Sequence, residues 1–406
     1  MRHAKLVSTL LLFAVVALIL FAATAVPASA VDLTVGAKGP FNTIQQAVDA
    51  AKPGDTVHIA PGTYAENVVV NKQLTITATS GQPTVQAADS NKDVFQLTSS
   101  GARIEGLAIT GGASGVHIKN TSNCVVTNVV SRDNVNGVYL SYSTNNEVSN
   151  SNLSGNGYGV YSDYSSNNTI TSNVATGEKG TSSVLGDGIY MFYSDSNNVS
   201  NNNLSANHVF GISLYHSSNN TISGNNVSKN EDYGVRLRES DNNVLSFNTM
   251  RANAKLGLLI IQTTNNQIYL NNFIDQPTAI SGATEVKLNS PEAMAYTYNG
   301  VARTGFMSNY HSDYKGTDAN GTGIGSAPSA YGDKYPLIQS VASYGNIVLA
   351  SAVTPTPPPT STFTSTSTSG NQSASGTKLP GFEVATAVAG LTIAGLLLLG
   401  RKYRAK

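Results

Sequence analysis

Apolar residues recur every 21 to 23 residues between Ile104 and Ile280, in three short segments per repeat. One register holds Ile104, Val125, Val148, Ile170, Val199, Ile222, Leu245 and Ile268. Five residues after each comes a second register: Ile109, Val130, Leu153, Ala175, Leu204, Val227, Met250 and Phe273. A third follows in Gly-apolar pairs at Val116, Val138, Val160, Ile189, Ile212, Val235 and Leu258, and more loosely at Ile280. The interval before Ile189 is lengthened by an insertion, Thr176 to Asp187. A unit of about 22 residues is too short for paired helices and lacks the leucine pattern of horseshoe repeats. The pattern predicts an all-β chain wound as a single-stranded right-handed parallel β-helix. At about 4.8 Å per rung, roughly ten coils between Val57 and Ile280 would make a rod near 50 Å long.

The polar positions keep the same period. The second Asn of each turn falls in one column: Asn146, Asn168, Asn197, Asn220, Asn243 and Asn266. Another column reads Asn128, Ser151, Asn173, Asn202, Asn225, Asn248 and Asn271. Asn tolerates the left-handed backbone of tight turns, and stacked Asn side chains can bond from rung to rung. Both columns are therefore expected to be structural ladders.

A solenoid must cover its ends or its edge strands will pair with neighbours. Asn42 to Ala51 is expected to do so as a helix. Asn42 would be the N-cap, Gln45 would complete a capping box, and Phe41, Ile44, Ala47, Val48 and Ala51 would share one face. The predicted domains are a signal peptide (1–30), the β-helix with its N-terminal cap (31–282) and a C-terminal cap (283–348). A Thr/Ser/Pro-rich stalk (349–378) and a terminal transmembrane segment (379–406) follow.

The ends place the chain outside the cell. Arg2 and Lys5 precede an apolar run from Leu6 to Val26 and then Ala28-Ser29-Ala30, the order of a secretory signal. The Thr/Ser/Pro/Gly stretch from Thr354 cannot bury a core and reads as an extended linker. Val384 to Gly400 is apolar and uncharged, and Arg401, Lys402, Arg404 and Lys406 behind it set the tail in the cytoplasm. Nine Asn-X-Ser/Thr sequons are compatible with glycosylation of an exported chain. A lone cysteine, Cys124, can form no internal disulfide. Net charge is zero with 12% charged residues, so no basic stripe exists to neutralise nucleic-acid phosphates.

Three stretches resemble known families. Phe41 to Ile76, with its turn Pro61-Gly62-Thr63-Tyr64, resembles the opening of pectin-lyase-like β-helix proteins, which implies fold and not activity. Ser308 to Leu337, with the Asn-Asn repeats before it, resembles archaeal NosD-like copper-binding repeat proteins. Pro380-Gly381-Phe382, followed by an apolar helix and a basic tail, resembles the PGF-type sorting signal of archaeal surface proteins. That resemblance implies an archaeosortase-like enzyme that removes the helix and leaves the chain joined to lipid.

Candidate chemistry lies on the outer face. One position beyond the third core register stand Tyr139, Tyr161 and Tyr190, and four beyond stand Tyr142, Tyr164 and Tyr193. Tyr rings offer an apolar face with a hydroxyl rim, which suits stacking on sugar rings, so these six are the candidate contacts for a polysaccharide or envelope glycan. The insertion is a candidate wall of a groove beside them. Asp195 and Asp241 share a column otherwise filled by Ser and Thr, so they read as turn caps, and no carboxylate pair at glycosidase spacing appears.

Asp313, Asp318 and Asp333 are candidate calcium ligands. The run from Asp318 to Gly325 offers one carboxylate where a hard cation prefers several, so a structural turn is the expectation. Scattered His and Met give no ligand set for the copper that the NosD resemblance implies. The expected function is a cell-surface β-helix protein that binds carbohydrate or builds the envelope without turnover and without a cofactor. The alternatives are a surface polysaccharide lyase or glycoside hydrolase, and a copper-site accessory protein.

Overall fold

Eleven short strands, from Asp32–Val35 to Gln267–Tyr269, hydrogen-bond in sequence order into one parallel sheet of a β-solenoid. This computed structural model describes residues 30–36, 38–181, 183–282 and 285–352. The expected signal peptide, stalk from residue 353, sorting signal and apolar terminal segment lie outside the described residues. Among the described residues no helix is long and apolar enough to cross a membrane.

Each coil alternates inward and outward residues with the period of two that a strand imposes. Ten strands from Val68–Val70 to Ile280–Ser281 make a second parallel sheet. Two four-stranded sheets joined by single-residue bridges at Val130, Asn152, Val174, Asn203 and Asn226 make the third side. The inward residues form one continuous core from Leu33 to Leu288, in which nearly every side chain is fully buried. Eleven rungs at about 4.8 Å give a stack about 50 Å long.

The third register is paired as expected, from Val116↔Val138 to Leu258↔Ile280. In the other two the coil at 125–131 is one residue later than the spacing suggested. Val126, not Val125, pairs with Ile104 and Val148. Ser131, not Val130, pairs with Ile109. Each choice lay within a Val-Val doublet or beside one, where hydrophobicity cannot tell inside from outside. Ser131 enters the core because its hydroxyl donates to Gly137 O at 2.8 Å. The glycines before the third register are set by close approach: a Cβ at Gly188 would lie 2.7 Å from Gly211 O on the next rung.

The predicted Asn column is a ladder. Asn146 N and Nδ2 both donate to Asn168 Oδ1, at 2.9 and 3.0 Å, and the backbone N–H step repeats through Asn197, Asn220 and Asn243 to Asn266. The second ladder begins at Ser151 and continues past Asn271 to Asn309 and Asp333. Asn128 is not part of it; Val129 N is what meets Ser151. Two further ladders run beside these. One is serine: Ser143, Ser165, Ser194, Ser217 and Ser240. The other reads Asn134, Asn156, Glu178, Asn207, Asn230, Asn253 and Gln276.

The N-terminal end is covered by helix α1 (Ile44–Ala50), with Ile44, Ala47 and Val48 buried. Its N-cap is Thr43, one residue after the expected Asn42: Thr43 Oγ1 accepts from Gln46 N. The remaining first-turn amides, Ile44 N and Gln45 N, donate to the Glu66 carboxylate at 2.8 and 3.0 Å. A negative charge at this positive helix end is favourable. Glu66→Ala is expected to destabilise the cap by about 1–2 kcal/mol, read as an earlier denaturant midpoint; an unchanged midpoint would refute the capping role.

The period does not stop at Ile280. Lys287 bridges to Gln267, and Tyr310–His311 pairs with Asn272 and Phe273. Beyond this partial coil, Met294–Tyr298 lies between Val301–Gly305 and Tyr344–Leu349 in an antiparallel sheet over a second core of Leu270, Met307, Leu337 and Tyr344. A final 3-10 turn spans Ala350–Ala352.

Candidate functional site

The strands of the second sheet each present two outward positions, and the turn that follows presents a third. Register therefore lays residues out as a face three columns wide. Its first column runs His117, Tyr139, Tyr161, Tyr190, Ser213 and Arg236. The second runs Lys119, Ser141, Asp163, Phe192, Tyr215 and Arg238. The third is Asn120, Tyr142, Tyr164, Tyr193, His216 and Glu239, all in the left-handed region with φ between 45° and 51°.

All six predicted tyrosines lie on this face. His117, Tyr139, Tyr161 and Tyr190 stack with centroids 4.4, 5.0 and 5.3 Å apart. Tyr142, Tyr164, Tyr193 and His216 stack at 5.1, 4.9 and 4.5 Å. Phe192 bridges the columns edge-on to Tyr164 and Tyr193. Tyr139, Tyr161 and Tyr190 are half-buried, whereas Tyr142, Tyr164 and Tyr193 are 60, 44 and 39% exposed. Burial pushes the Tyr139 hydroxyl up to about 12, helped by the Asp163 carboxylate that accepts from it at 3.3 Å. Burial likewise takes Tyr190 to about 12.

Beyond Tyr190 a planar cation succeeds the rings. Arg236 reaches back over the Ser213 rung, donating to Ser213 Oγ from Nη2 and Nε at 2.7 and 3.1 Å and lying 4.3 Å above the Phe210 ring. The insertion supports this face from one side. Its Leu185 N donates to Tyr158 OH, and Tyr158 packs on Tyr161 and Tyr190. Lys179, Thr181, Ser183 and Val184 wall a recess of about 550 Å³ on the far side. Asp187 at the end of the insertion is fully buried, with Oδ1 accepting from Phe210 N and Oδ2 without a partner among the described residues. Burial, opposed by the Arg236 charge, lifts its pKa to about 7.

Sequence spacing places His117 at the head of the first column but gives it no role. His117 Nδ1 lies 2.7 Å from Asp93 Oδ2, and its Nε2 lies 2.8 Å from Ser141 Oγ. Asp93, His117 and Tyr139 open on a cleft of about 590 Å³, lined also by Asn136, Ser114 and Lys92. Asp93 falls in a coil without the Asn pattern. A recurrent 24-residue step, 93 to 117 to 141, was the only sequence signal.

The three candidate calcium ligands have separate partners. Asp318 accepts from Thr322 N and Gly323 N in its own turn. Asp313 accepts from Tyr331 OH. Asp333 is fully buried and accepts from Asn309, His311 Nε2 and Ser329 Oγ. Among the described residues, no group of three or more His, Cys, Asp or Glu is placed to hold a metal ion. His208 and His216 each face a glutamate, Glu231 and Glu239, instead of one another. These donors do not fit a copper site, which wants clustered nitrogen or sulfur ligands. Asp195 and Asp241 accept from Ser218 N and Thr264 N, as turn caps do.

Among solved structures, the chain is similar to Dettilon tailspike protein, with TM-score 0.52 and 14% identity over 66% of this chain and 57% of that one. It also resembles an alginate lyase from Paenibacillus sp. str. FPU-7 at TM-score 0.48 and 14% identity, over 63% of this chain and 97% of that one. At such identities the likeness concerns fold alone. Ninety residues are 34% identical to a cell surface glycoprotein of Methanothermus fervidus; they make up 22% of this chain and only 15% of that relative's length. The profile of the family described as periplasmic copper-binding protein (NosD) matches residues 48–185 and 178–316, most of the solenoid. The chain belongs to the NosD family.

Proposed function

We propose that this is an exported cell-surface protein that holds a glycan chain lengthwise on the three-column aromatic face. The observation that carries this reading is the outer column: Tyr142, Tyr164 and Tyr193 remain exposed while occupying left-handed turns. A bulky residue there costs of order 1–2 kcal/mol that Asn, present at Asn120 in the same column, largely avoids. Three successive rungs keep the ring at that cost, and the stacked rings offer sugar-sized apolar strips about 5 Å apart along the rod. The relative described as a cell surface glycoprotein supports the location. The terminal apolar segment and Pro380-Gly381-Phe382 supply the anchor in this reading, with an archaeosortase-like enzyme as processing partner.

The test is a glycan array followed by calorimetry on the best ligand. Replacing Tyr142, Tyr164 and Tyr193 together by Asn, which suits the left-handed turn, is expected to leave the fold intact. Stacking worth about 1 kcal/mol per ring predicts a loss of affinity of roughly 100-fold. Unchanged affinity in the folded triple variant would remove the tyrosine face from the account.

A further inference from the structure

The polar end of the same face carries a constellation that glycan stacking does not require. Among the described residues Ser141 Oγ has one hydrogen-bond partner, His117 Nε2, and His117 Nδ1 meets Asp93 Oδ2. Burial opposes ionisation of Asp93, but the His117 hydrogen bond, the charge of the His117 ring when it is protonated, and hydrogen bonds from Ser114 and Gln96 hold its carboxyl below the ordinary range. An ionised Asp93 accepts, so in the neutral imidazole Nδ1 carries the proton and Nε2 presents its lone pair to the Ser141 hydroxyl. Nucleophile, base and orienting carboxylate are thus in series at 2.8 and 2.7 Å. Gln96 Nε2 donates to the same Asp93 oxygen at 3.3 Å and helps hold it.

Position supports use. Ser141 points out of the sheet between Tyr139 and Tyr142 and is 5% exposed. The adjoining cleft of about 590 Å³ is lined by His117 and Tyr139 and gives a substituent of a bound chain room to enter. Register pairs Lys119 with Ser141 on the neighbouring strand. The glycosidic bond itself is an acetal, and its cleavage uses paired carboxylates. A serine relay attacks acyl carbon.

We propose that Ser141, His117 and Asp93 hydrolyse O-acyl esters carried by the glycan on the tyrosine face; the substrate class rests on the glycan reading above. Ser141 Oγ adds to the acyl carbonyl carbon while His117 Nε2 takes the hydroxyl proton. Collapse of the adduct breaks the acyl–oxygen bond, and the departing sugar oxygen takes that proton from His117. Water then repeats the sequence on the acyl-Ser141 ester. His117 accepts its proton and returns it to Ser141 Oγ, and the carboxylic acid leaves. Asp93 touches no reacting atom; it is a positioning residue.

The full chain would be assayed with 4-nitrophenyl acetate and with an O-acetylated polysaccharide, and treated with a fluorophosphonate followed by peptide mass spectrometry. Expected results are acetate release from both substrates and an adduct on Ser141. Ser141→Ala and His117→Ala should lose hydrolysis by about 10³-fold with the melting curve retained. Asp93→Asn should lower kcat more than it raises KM and alter the pH profile, which a merely structural role would not do. Hydrolysis of the small ester at Ser141 with the polysaccharide untouched would support the relay and count against the glycan reading. A folded protein that releases no acetate from either substrate and takes no adduct overturns the proposal.

Discussion

Replacing Glu178 by glutamine is expected to raise the stability of the protein at neutral pH and to flatten its pH dependence. Glu178 occupies a position that Asn holds on the neighbouring rungs of its ladder, and it is 2% exposed. One oxygen, Oε2, accepts from Asn156 N at 2.7 Å. The other, Oε1, stands where the ladder needs an amide donor and has no partner among the described residues. Burial is the main cause of a pKa raised from 4.5 to about 9. The folded chain therefore holds a proton that the unfolded chain releases above its ordinary carboxylate pKa. Stability from this residue is complete below that pKa and declines as pH rises toward 9.

At pH 7 the decline amounts to roughly 3 kcal/mol, taking 1.36 kcal/mol per unit. Glutamine keeps the acceptor, supplies the missing donor and has no proton to lose. Thermal melts at pH 5, 7 and 9 are the check: wild type should weaken across the series and Glu178→Gln should not, apart from changes due to other groups. Parallel curves for the two proteins would show that Glu178 is not the titrating group.

The second large effect comes from one letter of an Asn-Asn pair. Asn220 Oδ1 accepts from Asn197 N and Nδ2 at 2.7 and 3.2 Å, inside the rod. Asn220→Ala strands both buried donors and is expected to cost about 2–4 kcal/mol, measured as a shift of the urea midpoint. Asn219, its neighbour, is exposed and left-handed with φ of 61°. Asn219→Gly should change stability by no more than about 0.5 kcal/mol, because glycine adopts that backbone freely. Equal effects at the two positions would refute the ladder as the source of stability.

How far such residues could be read in advance follows from what the period encodes. Strand alternation and coil length place a residue inside or outside, so the third core register, the tyrosine columns and the first Asn ladder were all legible. Where two neighbours had equal hydrophobicity, as at Val125 and Val126, the period alone was one residue ambiguous, and rung-to-rung pairing decided. The ladder through Glu178 was hidden because the insertion shifts its step and a carboxylate interrupts its asparagines. Thr43 displaced Asn42 as the helix cap because Glu66 fixes the next two amides from across the coil.

The amino-acid sequence by itself determined the solenoid and the columns of its outer face. Both follow from short-range geometry: a strand exposes every second side chain, and a turn that recurs at constant spacing stacks like on like. Only the tertiary structure decided which polar groups meet. The Asp93–His117–Ser141 series joins three rungs on a diagonal, and Asp187 lies buried near Arg236 although 49 residues separate them in the chain. Such contacts depend on side-chain reach and desolvation, which act through space and which the coil period does not encode.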